Sequence, residues 1–293
     1  MLDEKLISVI AEEVVRQLRE TGKLFLPEEG ILPQESSGDG LAEEDIASAA
    51  AKAKPLLESP EDREALLRMK KRTTARIGVG RAGSRLNTRT MLTLRADHAK
   101  ARDAVFKDVD EAFLNSLGLF TAKTCCDSKD MFVTRPDLGR KLSSESVELL
   151  RQKCIPSPDV QIFAADGLSS TAVETNAGKI LPVILDGLKA KGLKTGTPFF
   201  LKYGRVGSED HVAEILGAKV VCVLIGERPG LATAESMSAY IVYNSHVGIP
   251  ESKRTVVSNI HKDGLSAVEA GAYIAEVIGQ VLEQKASGVD LVK

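Results

Sequence analysis

The chain has 293 residues, 43% of them hydrophobic, which is enough for about two domains and a sizeable core. Thirty-nine Lys and Arg against 41 Asp and Glu leave a net charge of -2, and aromatics are only 4% with no Trp, so neither a basic field nor a base-stacking surface argues for nucleic acid. No apolar run approaches the ~20 residues of a membrane span, and four cysteines without a secretory signal predict a soluble, cytoplasmic protein, not a disulfide scaffold.

In chain order, residues 1–20 put Leu2, Leu6, Val9, Ile10, Val14 and Leu18 on one side of a helix and Lys5, Glu12, Arg16 and Arg19 on the other. That spacing predicts an amphipathic helix. Residues 21–58, which include PEEGILPQESSGDG, carry Pro, Gly, Ser and acids without period and read as a partly disordered linker. Ser59-Pro60-Glu61-Asp62 reads as a helix start, opening a mostly helical subdomain over 59–155. Within it, Leu94, Ala101, Val105, Val109, Ala112 and Leu117 predict one long helix from Thr88 to Leu117, with His98 near its packed stripe.

From residue 156 to 293 short apolar runs (VQIFAAD, PFFLKYG, KVVCVLIGE, AYIVYN, TVVSNI) alternate with helical stretches at Ser170 to Leu188, Ser208 to Leu216 and Ser266 to Lys285. The fold class is therefore α/β, an open, mostly parallel, Rossmann-like sheet. In such sheets ligands bind at the carboxyl ends of strands, so the loops ADGLSS, YGRVGS, IGERPGL, YNSH and SNIHKDG are candidates to converge on one mouth.

Two motifs invite a cofactor reading. GVGRAG at Gly78 to Gly83 matches a dinucleotide fingerprint and keeps a nicotinamide-dependent oxidoreductase in view, but it follows MKKRTTAR where a buried strand is required. Asn259, His261 and Gly264 read N-x-H-x-x-G, close to the D-x-H-x-x-G by which some proteins give cobalamin a histidine axial ligand. Asparagine lacks the orienting charge, so His261 reads as a loop histidine. No metal set and no catalytic acid, base or nucleophile can be assigned within the chain, which also leaves a noncatalytic scaffold subunit in view.

Taken in order, GRAGSRLNTRTMLTLRADHAKARDAVFKDV, TRPDLGRKL, ADGLSSTAVETNAGKILPVIL, FFLKYGRVGSED, IGERPGL and VSNIH resemble the small (light) subunit of ethanolamine ammonia-lyase from about Arg76 to Lys293. The resemblance implies an adenosylcobalamin-dependent radical lyase that converts ethanolamine to acetaldehyde and ammonia and is active only with its large subunit. That partner would hold the substrate while this chain closes over the cobalamin. The family's cobalamin contacts fall on Val206 in YGRV, Glu227 in GERPG and Val256, where relatives can have cysteine. It also gives residues 1–20 a meaning, as a tethered helix that binds the shell of a bacterial microcompartment.

Overall fold

The computed structural model describes residues 45–46 and 48–292, so the amphipathic helix expected at 1–20 and most of the expected linker lie outside the described residues. From Ile46 on, the described residues form one compact unit. Its centre is a six-stranded sheet made of β3 (Phe120–Lys123), β4 (Val160–Ala165), β5 (Phe199–Lys202), β6 (Val220–Gly226), β7 (Met237–Tyr243) and β8 (Arg254–Ile260). The spatial order is β3-β5-β4-β6-β7-β8. The first four strands are mutually parallel, and β7 runs against both its neighbours.

The sheet is therefore mixed but mostly parallel. Strands β4 and β6 are buried at every position, as the continuous apolar runs VQIFAA and VVCVLI predict for strands covered on both faces. One face packs against α7 (Ser170–Ala190) and α9 (Ala267–Gln284) through Ile180, Ile184, Ile274 and Ile278. The other packs against α6 (Ser144–Lys153) and α8 (Ser208–Leu216) through Leu150, Val212 and Leu216. Helix α7 carries the chain from β4 to β5, and α8 carries it back across β4 to β6. Crossovers that leave adjacent strands for opposite faces open a crevice at their carboxyl ends.

The reversal of β7 corrects the loop inventory. YNSH follows the one strand that runs the other way, so it lies at the opposite end of the sheet from ADGLSS, YGRVGS, IGERPGL and SNIHKDG. Phe120–Lys123, inside the stretch expected to be mostly helical, forms the edge strand β3 beside β5. Four residues are too few to show a period, which is why the sequence hid it.

The N-terminal part of the unit departs from expectation in three places. Helix α1 (Ala49–Ala53) is capped by Ser48, and α2 (Arg63–Lys70) starts after Asp62, whose carboxylate accepts from Ala65 N, so Ser59 is not the cap. The GVGRAG run ends in a two-strand hairpin of β1 (Arg81–Ala82) and β2 (Arg85–Leu86), exposed and outside the main sheet, which is no setting for a dinucleotide. The expected helix from Thr88 to Leu117 divides into α3 (Thr88–Phe106) and α4 (Glu111–Ser116), because Asp110 caps a fresh helix by accepting from Ala112 N. The buried positions of α3 are Thr90, Thr93, Asp97 and Ala104, and His98 is exposed. Asp97 tolerates burial because Lys52 and Arg76 close on its two oxygens at 2.7 and 2.6 Å.

Candidate functional site

The carboxyl end of the sheet gathers the polar groups that the strands cannot bury. At the crevice between β4 and β5, Asp166 leaves the last residue of β4 and is 1% exposed, with Lys129 Nζ at 3.0 Å and Gly204 N donating to its other oxygen at 3.2 Å. Lys129 opens α5 (Lys129–Thr134) and is itself buried, with its ammonium 5.2 Å from the Phe132 ring centre and 5.4 Å from that of Tyr203. Burial pushes the Asp166 carboxyl up, and the ammonium and backbone donors pull against that. The pair ties the helix after β3 to the end of β4, and the bond from Gly204 N adds the turn after β5. Arg205 lies across the Phe132 ring at 4.1 Å and donates to Phe132 O at 2.7 Å, which fixes the turn that presents Val206.

Glu227 stands one residue past the end of β6. Its Oε1 accepts from Ser238 Oγ at 2.6 Å and Asn259 N at 3.0 Å, and its Oε2 accepts from Ser236 Oγ at 2.8 Å. One carboxylate thus joins the ends of β6, β7 and β8. A carboxylate has about four acceptor positions, so three internal donors leave one, on Oε2, for a ligand donor.

Register fixes which face these groups occupy. Val223 pairs with Tyr240 and Tyr240 with Val256, while Ile225 pairs with Ser238, so all five share one face, and strand alternation carries Glu227 to it as well. Val206 is half-buried against the same core as Val223 and Ile225. Val256 is 45% exposed on the edge strand, at the level of Val223 and four positions short of Glu227. The three sequence-selected residues therefore lie on one face of the sheet. Glu227 is at its carboxyl rim and Val256 is nearer its middle.

His261 is adjacent but already engaged. Asp263 N donates to its Nδ1 at 3.2 Å, so the proton sits on Nε2, which donates to Asn259 Oδ1 at 2.8 Å. Neither ring nitrogen keeps a free lone pair for a metal. Among the described residues no cluster of His, Cys, Asp and Glu is arranged to hold a metal ion.

A second buried network ties the same face together and escaped the sequence reading. Arg254, at the start of β8, places Nε 3.1 Å from Glu209 Oε2, Nη2 2.6 Å from Asp210 Oδ1 and Nη1 2.9 Å from Glu251 Oε2. Glu209 also accepts from Val223 N at 3.2 Å, and Ser245 Oγ donates to Asp210 at 2.6 Å. Three carboxylates share one guanidinium, so burial raises both Glu209 and Asp210 above the usual carboxylate range. The network connects the helix that follows Val206 to the strand that carries Val256. The adjacent acids of the run SED were the only signal, and nothing in the sequence paired them with an arginine more than forty residues away.

The sequence model of the family described as ethanolamine ammonia-lyase light chain (EutC) matches residues 63–292. Among curated relatives, the chain is similar to proteins named ethanolamine ammonia-lyase small subunit from three organisms. That of Fusobacterium nucleatum subsp. nucleatum is 53% identical over 279 residues, covering 95% of this chain and 90% of the relative. That of Clostridium tetani is 55% identical over 264 residues, covering 90% and 86%. That of Clostridium perfringens is 50% identical over 296 residues, covering 99% and 100%.

Proposed function

The chain belongs to the ethanolamine ammonia-lyase light-chain family, and from that premise we propose that it is the small subunit of an adenosylcobalamin-dependent enzyme that converts ethanolamine to acetaldehyde and ammonia. The large subunit holds the substrate, and this chain closes over the cofactor. The observation that carries the reading is the relatives' identity of 50 to 55% over nearly the whole chain.

The residues on this face and at its carboxyl rim suit that cofactor. A corrin is a broad apolar disc fringed with amides, and it requires apolar contact together with a few well-placed acceptors. Val206, Tyr240 and Val256 supply apolar surface on one face, and Glu227 keeps one acceptor position for an amide N–H. When bound, the cofactor supplies a homolysable cobalt–carbon bond as the source of the radical that attacks the substrate. The part of this chain is to bind, orient and exclude water. Glu227 holds the rim of three strands, the Lys129–Asp166 pair holds the floor of the crevice, and Arg205 holds the turn of Val206. Both nitrogens of His261 are engaged within its own loop, so this histidine would not be the residue that holds the cofactor.

Glu227→Ala is expected to weaken cobalamin binding by the complex about ten- to hundredfold, since a hydrogen bond to a charged group is worth about 1.5–3 kcal/mol. Glu227→Gln keeps the rim, because the amide oxygen can serve Ser238 and Asn259 while its NH2 donates to Ser236, but it loses the acceptor position left on Oε2, so it is expected to weaken binding by that one ligand bond and less than Glu227→Ala. Absorbance titration of the assembled complex reads both. Wild-type affinity in Glu227→Ala, with assembly intact, places the residue outside the site.

The family context also supports reading residues 1–20 as a tether to a microcompartment shell, on the strength of their amphipathic pattern. A fluorescent protein fused to residues 1–40 and expressed beside shell proteins is expected to form foci that Leu6→Glu or Ile10→Glu disperses. Equal diffuse fluorescence from all three fusions counts against a tether. Among the described residues no helix is long and apolar enough to cross a membrane.

A further inference from the structure

Beside the loop that follows Glu227, a hollow of about 630 Å³ lies between that loop, α1, the segment that follows α2 and the long helix α3. That volume is within the range of small-molecule sites, and apolar atoms make up most of its wall, from Ala51, Ala53, Leu56, Val79 and Leu231. The charged groups at its surface are all cations, among them Lys52, Lys70 and Arg76, and among the described residues that line it there is no acid.

Behind the wall the carboxylate of Asp97 is shared by Lys52 and Arg76 at 2.7 and 2.6 Å. Among the described residues, and setting aside Lys54, which also lines the hollow but is not free, Lys52, Lys70 and Arg76 against Asp97 leave two positive charges in excess. Lys70 is half-buried and donates to Ile77 O at 3.2 Å, and the charge that bears on it is the repelling guanidinium of Arg76. Among the described residues, like charges gather around a mostly apolar hollow with more cations than carboxylate, which is unfavourable until an anion enters. The hydroxyls of Thr73 and Thr74 stand at the same wall as further donors, although Thr73 also accepts from Ala75 N at 3.0 Å.

We propose that this hollow is a binding site for a dianionic small molecule with an apolar body, a phosphate monoester being the chemistry that matches two excess charges, hydroxyl donors and an apolar wall. The phosphate seats against Lys70 and Arg76, and the body lies along Leu56, Val79 and Leu231. Since Leu231 and Ala232 belong to the loop between Glu227 and Ser236, an occupied site also braces that loop, where Lys52 Nζ already donates to Leu231 O at 3.3 Å. The site itself does not depend on the cobalamin reading and stands or falls separately from it.

The test uses calorimetric titration of the full-length chain, and of its complex with the large subunit, with inorganic phosphate and with phenyl phosphate at low ionic strength. Saturable binding of phenyl phosphate is expected, about tenfold tighter than inorganic phosphate because the ring is buried. Lys70→Glu is expected to abolish it and Lys70→Arg to preserve it, with the thermal midpoint of each variant showing that the chain is folded. The proposal is overturned by non-saturable binding, by equal affinity for the two probes, by binding unchanged in a folded Lys70→Glu protein, or by binding to the free chain that disappears in the complex. A Lys70→Glu protein that does not fold moves the decision to Thr74→Val and Val79→Ser, of which at least one must weaken phenyl phosphate.

Discussion

Glu227 is an acceptor with three internal donors, so it acts on the strand ends before it acts on any ligand. The same logic governs Glu209, which is fully buried and shares Arg254 with Asp210 and Glu251. Its carboxyl is raised well above the ordinary glutamate value of 4.5, so the folded state binds this proton more tightly than the unfolded state does. The stabilisation that follows is fully present below 4.5 and is lost as pH rises through the folded value. Glu209→Gln cannot titrate. Urea unfolding should therefore show the variant less stable than wild type by about 1–3 kcal/mol in acid, from the altered hydrogen bonds, with the gap closing or reversing toward pH ~8. A gap that widens with pH would mean that Glu209 is held ionised by Arg254 and that the other two carboxylates are not in competition for it.

At the scale of elements, the ends of β4 and β6 approach so closely that glycine is required. A Cβ on Gly226 would lie 2.2 Å from Ser169 O and 2.6 Å from Asp166 O, both backbone atoms that no rotamer change can move. Gly226→Ala should therefore destabilise the chain by about 1–3 kcal/mol. By displacing Glu227, it should also weaken cobalamin binding more than its loss of stability explains. Differential scanning calorimetry and the absorbance titration separate the two effects, and an unperturbed affinity in the folded variant would show that the strand end yields without moving the rim.

Elements were legible in the sequence where they were long or buried on both faces. The runs that became β4 and β6 were continuous and apolar, and the helical stretch read from Ser266 to Lys285 became α9, which the structure opens with a capping box of Ser266 and Glu269. What stayed hidden was short or was decided by distant partners. Strand β3 has four residues, the reversal of β7 depends on pairing with β6 and β8, and the inner face of α3 is polar because Asp97 meets Lys52 and Arg76. At the site, Val206, Glu227 and Val256 came from resemblance, and their common face follows from register. Lys129, Asp166 and Arg254 had no local pattern to reveal them, since each ion pair joins residues far apart in the chain.

At the scale of the whole molecule, the described residues offer a braced rim at the carboxyl end of the sheet. The described residues bring an acceptor, apolar surface and braced loops to one face and one end of a sheet, and the cation-lined hollow lies beside the loop that follows Glu227. In the proposed function such a surface is half of a site, and a second subunit completes it. The most direct measurement is retention of cobalamin and release of ammonia by the large subunit after gel filtration, with and without this chain, in the presence of adenosylcobalamin and ethanolamine. The account predicts that the corrin spectrum and ammonia release both stay with the complex, and that omitting either subunit abolishes them. Equal corrin retention and equal ammonia release by the large subunit alone would contradict it.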